Sequence, residues 1–298
     1  MNKNLRTDKY ENTPITFMTW NCDGATREQA HAQSCWEARV WRIIALIASI
    51  LPDIICFQEI TGSKMRSKFI SSLNKIGYEV IYAKRNSSQM CTNLLIAYKP
   101  DLFYPTKVKN IQLQSDDKYT PGDFSNPNGY GTNLLLVYFL RITDGKSIPG
   151  TEFAIGNTHF PMDKQSRIDC STKLAEWFKN VKNINTKYII CGDLNSYKGN
   201  GYDEQIKIIE DATSRVEDEG MCGDIKITGS FVGFEHDRFK FNSPDFDPLD
   251  HIMYNSKFVK SSNTRYDGRT MLTPEPPLLS TRDLPSDHLP KIVDINFL

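Results

Sequence analysis

Five polar groups in this chain each follow a short strand-like segment, and a sixth leads directly into the last one. Phe17-Met18-Thr19-Trp20 ends in Asn21, and Asp53 to Phe57 ends in Gln58-Glu59. Glu152 to Gly156 runs into Asn157-Thr158-His159, and Tyr188 to Cys191 into Gly192-Asp193-Leu194-Asn195. Pro248-Leu249 leads into Asp250-His251 and the run Ile252 to Tyr254, while Ser286-Asp287-His288-Leu289-Pro290 precedes the final stretch Lys291 to Leu298. One polar strand end is ordinary turn chemistry. Six of them, spread from one end of the chain to the other, constrain the fold to a sheet whose strand ends converge on one edge and assemble a single site there.

Helical spacing separates these strands. Val40, Ile43, Ile44, Ile47 and Ile50 recur at the helix period, which predicts a helix over Trp36 to Ile50 stopped by Pro52. Ser63 to Ile76, Lys164 to Val181 and Tyr202 to Asp211 read as further helices. Strands are expected at Ile15–Trp20, Tyr78–Tyr82, Leu94–Tyr98 and within Phe103–Leu113. Thr132–Arg141 and Thr151–Gly156 pair around a turn at Asp144-Gly145, and three short strands finish the chain. Thr213 to Gly229 reads as polar and irregular. Residues 1–14 read as a flexible tail and residues 15–298 as one α/β domain, two packed sheets flanked by helices. Two stretches, Gln114–Gly131 and Phe231–Phe246, read as substrate loops: the first is long and polar, the second aromatic and charged.

Composition removes several classes. The 298 residues hold 36 Lys plus Arg against 36 Asp plus Glu, so a broad non-specific nucleic-acid footprint is not expected, though a local basic groove is allowed. The seven cysteines are scattered without a CxxC pair, which argues against a zinc knuckle or a thioredoxin-type site. Cys56 and Cys191 lie in apolar runs and read as buried small hydrophobes, suiting a reducing compartment or a secreted protein with few disulfides. The N-terminal residues lack an apolar core of the kind a secretory signal carries. The longest apolar stretch, Ile43 to Leu51, is too short to span a bilayer. A cytoplasmic monomer is the expectation, with export as an effector left open.

The residue types suit phosphoester hydrolysis. That reaction needs a cation to offset charge on the phosphate, hard oxygen ligands to hold it, and a base near neutral pH to deprotonate water. Glu59 is the foremost metal ligand, with Asn21 beside it to bind a phosphate oxygen or hold a metal-bound carboxylate. Asp193 and Asn195 alternate, so in extended chain they share a face. Asp193 would orient the water and Asn195 donate to phosphate. His159 would stabilise the phosphorane. His288 is the general base or acid, oriented by Asp250. Asp287 faces away from its neighbour's ring and toward the metal or its waters. Of the five histidines, His251 reads as structural, and His31 and His236 as surface residues. A histidine base predicts a rate that falls in acid with an apparent pKa of about 6–7.

Taken together, from Thr19-Trp20-Asn21 through Gln58-Glu59, Asn157-Thr158-His159, Gly192-Asp193-Leu194-Asn195 and Leu249-Asp250-His251 to Ser286-Asp287-His288-Leu289-Pro290, these motifs resemble the endonuclease/exonuclease/phosphatase superfamily over residues 15–298. The resemblance implies a four-layer α/β sandwich with Mg²⁺ or Mn²⁺ at one edge of two mixed sheets. It puts Asn21 and Glu59 on the metal side, His159 on phosphate, Asp193 and Asn195 on the nucleophile and phosphate, and Asp250 with His288 as the acid/base pair. Asp53 to Glu59, Leu95 to Pro100, Ile190 to Ser196 and Ser286 to Pro290 are worded like the deadenylase and nocturnin-like branch. Trp20 to Gly24 is similar to the tyrosyl-DNA phosphodiesterase branch, and Gly229 to Phe234 to small bacterial metal-dependent hydrolases. These mixed cues place the chain in no single branch. The expected activity is hydrolysis of a nucleic-acid or nucleotide phosphodiester. The alternatives are a phosphatase for a phosphoinositide, sugar phosphate or dinucleotide, and a binding module with a dead site, against which the completeness of the constellation argues.

Overall fold

Alternation along the central strands sorts their residues between two environments, and that sorting builds the molecule. In the computed structural model, strand β1 (Ile15–Asn21) sends Ile15 and Phe17 into one apolar cluster and Met18 and Trp20 into another. Strand β2 (Ile54–Gln58) splits likewise, Ile54 and Cys56 against Ile55 and Phe57. The structure describes residues 13–22, 36–60, 63–83, 94–114, 132–182, 187–196, 202–215, 220–222, 225–227, 248–266 and 286–298. The proposed loop Gln114–Gly131 apart from Gln114, the proposed loop Phe231–Phe246, most of the N-terminal tail, His31, His236 and the stretch Gly229 to Phe234 lie outside them.

Sheet I has the order β12-β11-β14-β15-β1-β2-β4-β3. Its remaining members are β3 (Glu79–Ala83), β4 (Leu94–Tyr98), β11 (Gly220–Cys222), β12 (Ile225–Ile227), β14 (Val259–Tyr266) and β15 (Lys291–Phe297). Sheet II has the order β10-β13-β9-β8-β6-β5, with the two-residue β7 (Lys146–Ser147) pairing β6. Its members are β5 (Phe103–Gln112), β6 (Asn133–Thr143), β8 (Phe153–His159), β9 (Lys187–Asp193), β10 (Ser214–Arg215) and β13 (Asp250–Tyr254). Both sheets are mixed: β1–β2 and β8–β9 are parallel, and most other pairs are antiparallel.

The two sheets face each other across a shared core of Phe17, Ile54, Cys56, Ile96, Val293 and Ile295 from sheet I and Val137, Phe139, Phe153, Ile155, Ile189, Cys191 and Ile252 from sheet II. Helices α1 (Trp36–Ile50) and α2 (Ser63–Lys75) cover the outer side of sheet I with Ile43, Ile47, Phe69 and Leu73. Helices α3 (Lys164–Lys182) and α4 (Tyr202–Glu210) cover sheet II with Cys170, Leu174, Phe178, Ile206 and Ile209. The result is the four-layer α/β sandwich that the motifs implied.

Local signals set the ends. Tyr78 N donates to Leu73 O at 3.1 Å past Gly77 at φ 93°, the left-handed stop that closes α2. Asp163 Oδ1 accepts from Ser166 N at 2.8 Å and caps α3 four residues after His159. Asp144 and Gly145 both have positive φ, as the expected turn requires. The expectation of irregular chain over 213–229 is corrected: β10, β11 and β12 lie there. Strands of two or three residues are too short to show a period, so their pairing is decided by the neighbouring strands.

Candidate active site

The polar strand ends continue the core's own alternation. Facing inward along each strand are Phe17, Thr19 and Asn21 on β1, Cys56 and Gln58 on β2, Ile155, Asn157 and His159 on β8, Cys191 and Asp193 on β9, and Ile252 and Asp250 on β13. Register then sets them side by side, with Asn21 beside Gln58, His159 beside Asp193, and Asp193 beside Asp250. The site is the rim of the inter-sheet core at the carboxyl ends of the parallel strands, where open α/β sheets place their ligands.

Beneath it lies a buried amide network spanning both sheets. Gln58 Nε2 donates to Asn157 Oδ1 at 2.7 Å and to Thr19 Oγ1 at 3.1 Å. Asn157 Nδ2 donates across to Phe57 O at 2.8 Å and Leu95 O at 2.9 Å. Above this floor, Asn21 Nδ2 bridges two carboxylates, reaching Glu59 Oε1 at 3.1 Å and Asp193 Oδ2 at 2.8 Å. Glu59 holds φ at 61°, a left-handed conformation that a non-glycine residue adopts at a cost and that recurs at functional sites. Asn195, at φ 49°, donates its backbone N–H to Asp193 Oδ1 at 2.7 Å. Its Nδ2 donates to Phe160 O at 2.7 Å and meets His159 Nε2 at 3.2 Å. Because Phe160 O fixes that amide as a donor, His159 Nε2 accepts in this arrangement.

His288 Nδ1 lies 2.7 Å from Asp250 Oδ2, which makes Nδ1 the protonated nitrogen and leaves Nε2 toward the site. Nε2 is 3.8 Å from Asp193 Oδ2 and 4.0 Å from Asp287 Oδ1. Burial alone would lower the His288 pKa, but the carboxylates of Asp250, Asp287 and Asp193 outweigh it and hold the imidazole well above its ordinary value. Burial pushes the Asp193 carboxyl up to about 7, with Asp250 adding to the rise and His288, Asn195 and Asn21 opposing it. Ser286 Oγ donates to Asn21 O at 2.6 Å and accepts from His288 N at 3.2 Å, tying the first strand to the last motif. Trp20 Nε1 adds a bond to His288 O at 2.9 Å.

Glu59, His159 and Asp193 each offer a ligand atom within 4.8 Å of the other two. His159 Nε2 is 3.7 Å from both Glu59 Oε1 and Asp193 Oδ2. Two carboxylates converging from the two sheets fit a hard divalent cation that keeps part of its water shell. All eight residues singled out in the sequence thus lie at one rim. Within it, Asn21, Glu59, His159, Asp193 and Asn195 form one group, and His288, Asp250 and Asp287 stand at the other side of Asp193. His251 is fully buried and its Nε2 lies 2.6 Å from Ser196 Oγ. Sequence reading overlooked Ser286 as a tie and Lys291, whose Nζ donates to Asp250 O at 3.2 Å. The only sequence signal for Lys291 was a charged residue at the start of an apolar strand.

Comparison with known proteins agrees with this architecture. The sequence model of the Endonuclease/Exonuclease/phosphatase family matches residues 18–288. The CCR4-Not complex 3'-5'-exoribonuclease subunit Ccr4 of Yarrowia lipolytica is 22% identical over 95% of this chain, which spans about half (48%) of that protein's length. Among solved structures, a mannosyl-6-phosphatase of Bacteroides thetaiotaomicron superposes with a TM-score of 0.69 at 18% identity, covering 94% of this chain and 99% of that one. The human nocturnin catalytic domain superposes at 0.65 and 18% identity, covering 96% and 95%. The chain belongs to the endonuclease/exonuclease/phosphatase family, whose members are phosphoester hydrolases that include nucleases and phosphatases.

Proposed function

We propose that this chain hydrolyses a phosphodiester of a nucleic acid or nucleotide, dependent on Mg²⁺ or Mn²⁺, by in-line attack of a histidine-activated water. The observation that carries this reading is the Asp250–His288 pair at 2.7 Å, aimed at a carboxylate that also belongs to the Glu59, His159 and Asp193 cluster.

Glu59 and Asp193 would hold the cation, with Asn21 fixing both carboxylates and Asp287 facing its waters. The cation, when bound, supplies positive charge against the phosphate oxygens. Asp250 keeps the Nδ1–H tautomer of His288, so Nε2 takes a proton from water as the water oxygen bonds to phosphorus and the ester oxygen leaves. Asp193 Oδ2, 3.8 Å from that nitrogen, orients the same water. Asn195 Nδ2 and His159 stand where the phosphate oxygens would be received. A His159 donor to phosphate requires a proton on Nε2, and so a release of its present contact with Asn195.

Zero net charge and the likeness to a mannosyl-6-phosphatase support a second reading, in which the same machinery removes phosphate from a small molecule or lipid headgroup. The test is release of fragments or phosphate from single-stranded RNA with a poly(A) end, plasmid DNA, soluble phosphoinositides, mannose 6-phosphate and NADPH, with Mg²⁺ against EDTA and His288→Ala as control. Metal-dependent polynucleotide cleavage lost in His288→Ala supports the first reading. Phosphate release from a small molecule alone supports the second. Hydrolysis that survives EDTA and the His288→Ala change refutes both.

A further inference from the structure

We infer that Lys291 is a positioning residue, holding Asp250 in place behind His288; this rests on the hydrolytic reading above. Lys291 is fully buried at the first position of β15, on the inward series continued by Val293 and Ile295. Alternation calls for an apolar residue there. An ammonium without water costs several kcal/mol unless its surroundings compensate, so its place needs a reason.

The reason lies in how the acid/base pair is assembled. Asp250 opens β13 in sheet II, whereas His288 leads into β15 in sheet I. No continuous strand holds the two side chains in relation to each other. Lys291, three residues beyond His288, reaches across the gap between the sheets and donates Nζ to the backbone carbonyl of Asp250 at 3.2 Å. Its ammonium also lies 5.6 Å from the centroid of Tyr266, its register partner on β14, so an aromatic face and a carbonyl dipole receive the charge. The strut has two effects. It fixes the main chain from which Asp250 projects, and it brings a positive charge to the residue whose carboxylate accepts from His288 Nδ1. A residue that merely filled space would do neither and could be replaced by an uncharged side chain of similar length.

The experiment compares wild type, Lys291→Met and His288→Ala in the full chain. It measures hydrolysis of bis(p-nitrophenyl) phosphate with Mg²⁺, thermal stability, and the proton NMR signal of His288 Nδ1–H in the metal-free protein. Lys291→Met is expected to fold with unchanged or higher thermal stability, since it removes a buried charge. Its kcat should fall about 10–100-fold with KM unchanged, the range seen for residues that orient a ligand or base. The His288 Nδ1–H signal should move upfield as its bond to Asp250 loosens. Wild-type kcat and an unmoved signal in Lys291→Met, with His288→Ala inactive, would overturn the inference while leaving the hydrolytic reading intact. Wild-type hydrolysis by His288→Ala would overturn both. Should methionine prevent folding, Lys291→Gln keeps a neutral donor: a reduced kcat at unchanged KM supports the role of the charge, and wild-type values refute it.

Discussion

Asp193 and Asp250 are register partners across β9 and β13, and His288 touches both, at 3.8 Å through Nε2 and 2.7 Å through Nδ1. Two buried carboxylates this near each other raise each other's proton affinity, and an imidazolium between them lowers it. The balance leaves Asp193 near 7 and His288 well above the ordinary histidine value. Both shifts favour the protonated forms, whereas hydrolysis by a histidine base requires His288 to be unprotonated.

That proton inventory moves the pH profile. On the proposed mechanism His288 must be unprotonated to accept from water, so activity should fall as pH falls through its pKa. Because that pKa is raised, the acid limb of kcat/KM should lie above the ordinary histidine value of about 6.5 rather than at the 6–7 suggested by residue type alone. His288 gives up its proton at lower pH when positive charge occupies the neighbouring carboxylates, so raising Mg²⁺ should shift the limb downward. A limb fixed near 6 at all Mg²⁺ concentrations would count against this electrostatic picture.

Asp250→Asn tests the partner. The amide can still reach Nδ1, but it no longer requires the Nδ1–H tautomer and no longer stabilises an imidazolium. We expect kcat to drop about 10²–10⁴-fold with the fold intact by circular dichroism. A loss smaller than about threefold would remove Asp250 from the acid/base pair.

How far all this was legible in the sequence depends on which residues carried a pattern. Asn21, Glu59, His159 and Asp193 stood at the ends of clear strands and Asp250 at the start of one, and period-2 alternation puts four of the five, all but Glu59, on the inward series of their strands. The parallel β1–β2 and β8–β9 pairs followed from the helices between them. What sequence could not supply was the third dimension at the rim. Asp287 and Glu59 both read as metal ligands, yet Asp287 lies beside His288 Nε2 while His159 joins the Glu59 and Asp193 cluster. Backbone reversals at Glu59 and Asn195 turn their side chains in ways that extended-chain reasoning does not foresee. Lys291 belonged to no motif, and the role inferred for it depends on a cross-sheet contact with a residue 41 positions away.

Asp193 also links stability to pH, with a sign opposite to that of a salt-bridged aspartate. Its folded pKa, about 7, lies above the unfolded value of about 4, so the folded state binds the proton more tightly. Its contribution to stability is complete below about pH 4 and is lost as pH rises to about 7. In EDTA the melting temperature of the wild type should decline across this window, and that of Asp193→Asn should decline less. The slope is the test, because asparagine would also set an amide donor against Asn21 Nδ2 and lower stability at every pH. Mg²⁺ should raise the wild-type melting temperature at pH 8, as any ligand of the folded state does, and leave the variant nearly unchanged. Parallel pH slopes for the two proteins would show that Asp193 carries no such strain.

Glu59→Gln isolates the metal from the fold. The substitution is nearly isosteric, and the amide oxygen can still accept from Asn21 Nδ2, now 3.1 Å from Glu59 Oε1. Removing the charge should raise the Mg²⁺ concentration for half-maximal activity by at least about tenfold. Thermal stability in EDTA should stay the same or rise. Unchanged activity at limiting Mg²⁺ would exclude Glu59 as a ligand.

Gly192 is where the rim depends most strictly on backbone. It holds φ at 148°, and a Cβ there would stand 1.8 Å from Thr158 O, its register partner on β8. That carbonyl belongs to a strand backbone in the middle of sheet II, so it cannot yield as a flexible side chain would. Gly192→Ala must therefore pry β8 from β9 at the step just before His159 and Asp193, which are themselves register partners. We expect a loss of at least about 2 kcal/mol in unfolding free energy, from backbone strain and the clash together. Activity should fall beyond what the loss of folded protein explains, because the same displacement separates two residues of the Glu59, His159 and Asp193 cluster. Chemical denaturation alongside specific activity per folded molecule distinguishes the two effects. A stable Gly192→Ala protein with wild-type activity would mean that the close approach of β8 and β9 is not needed to build the site.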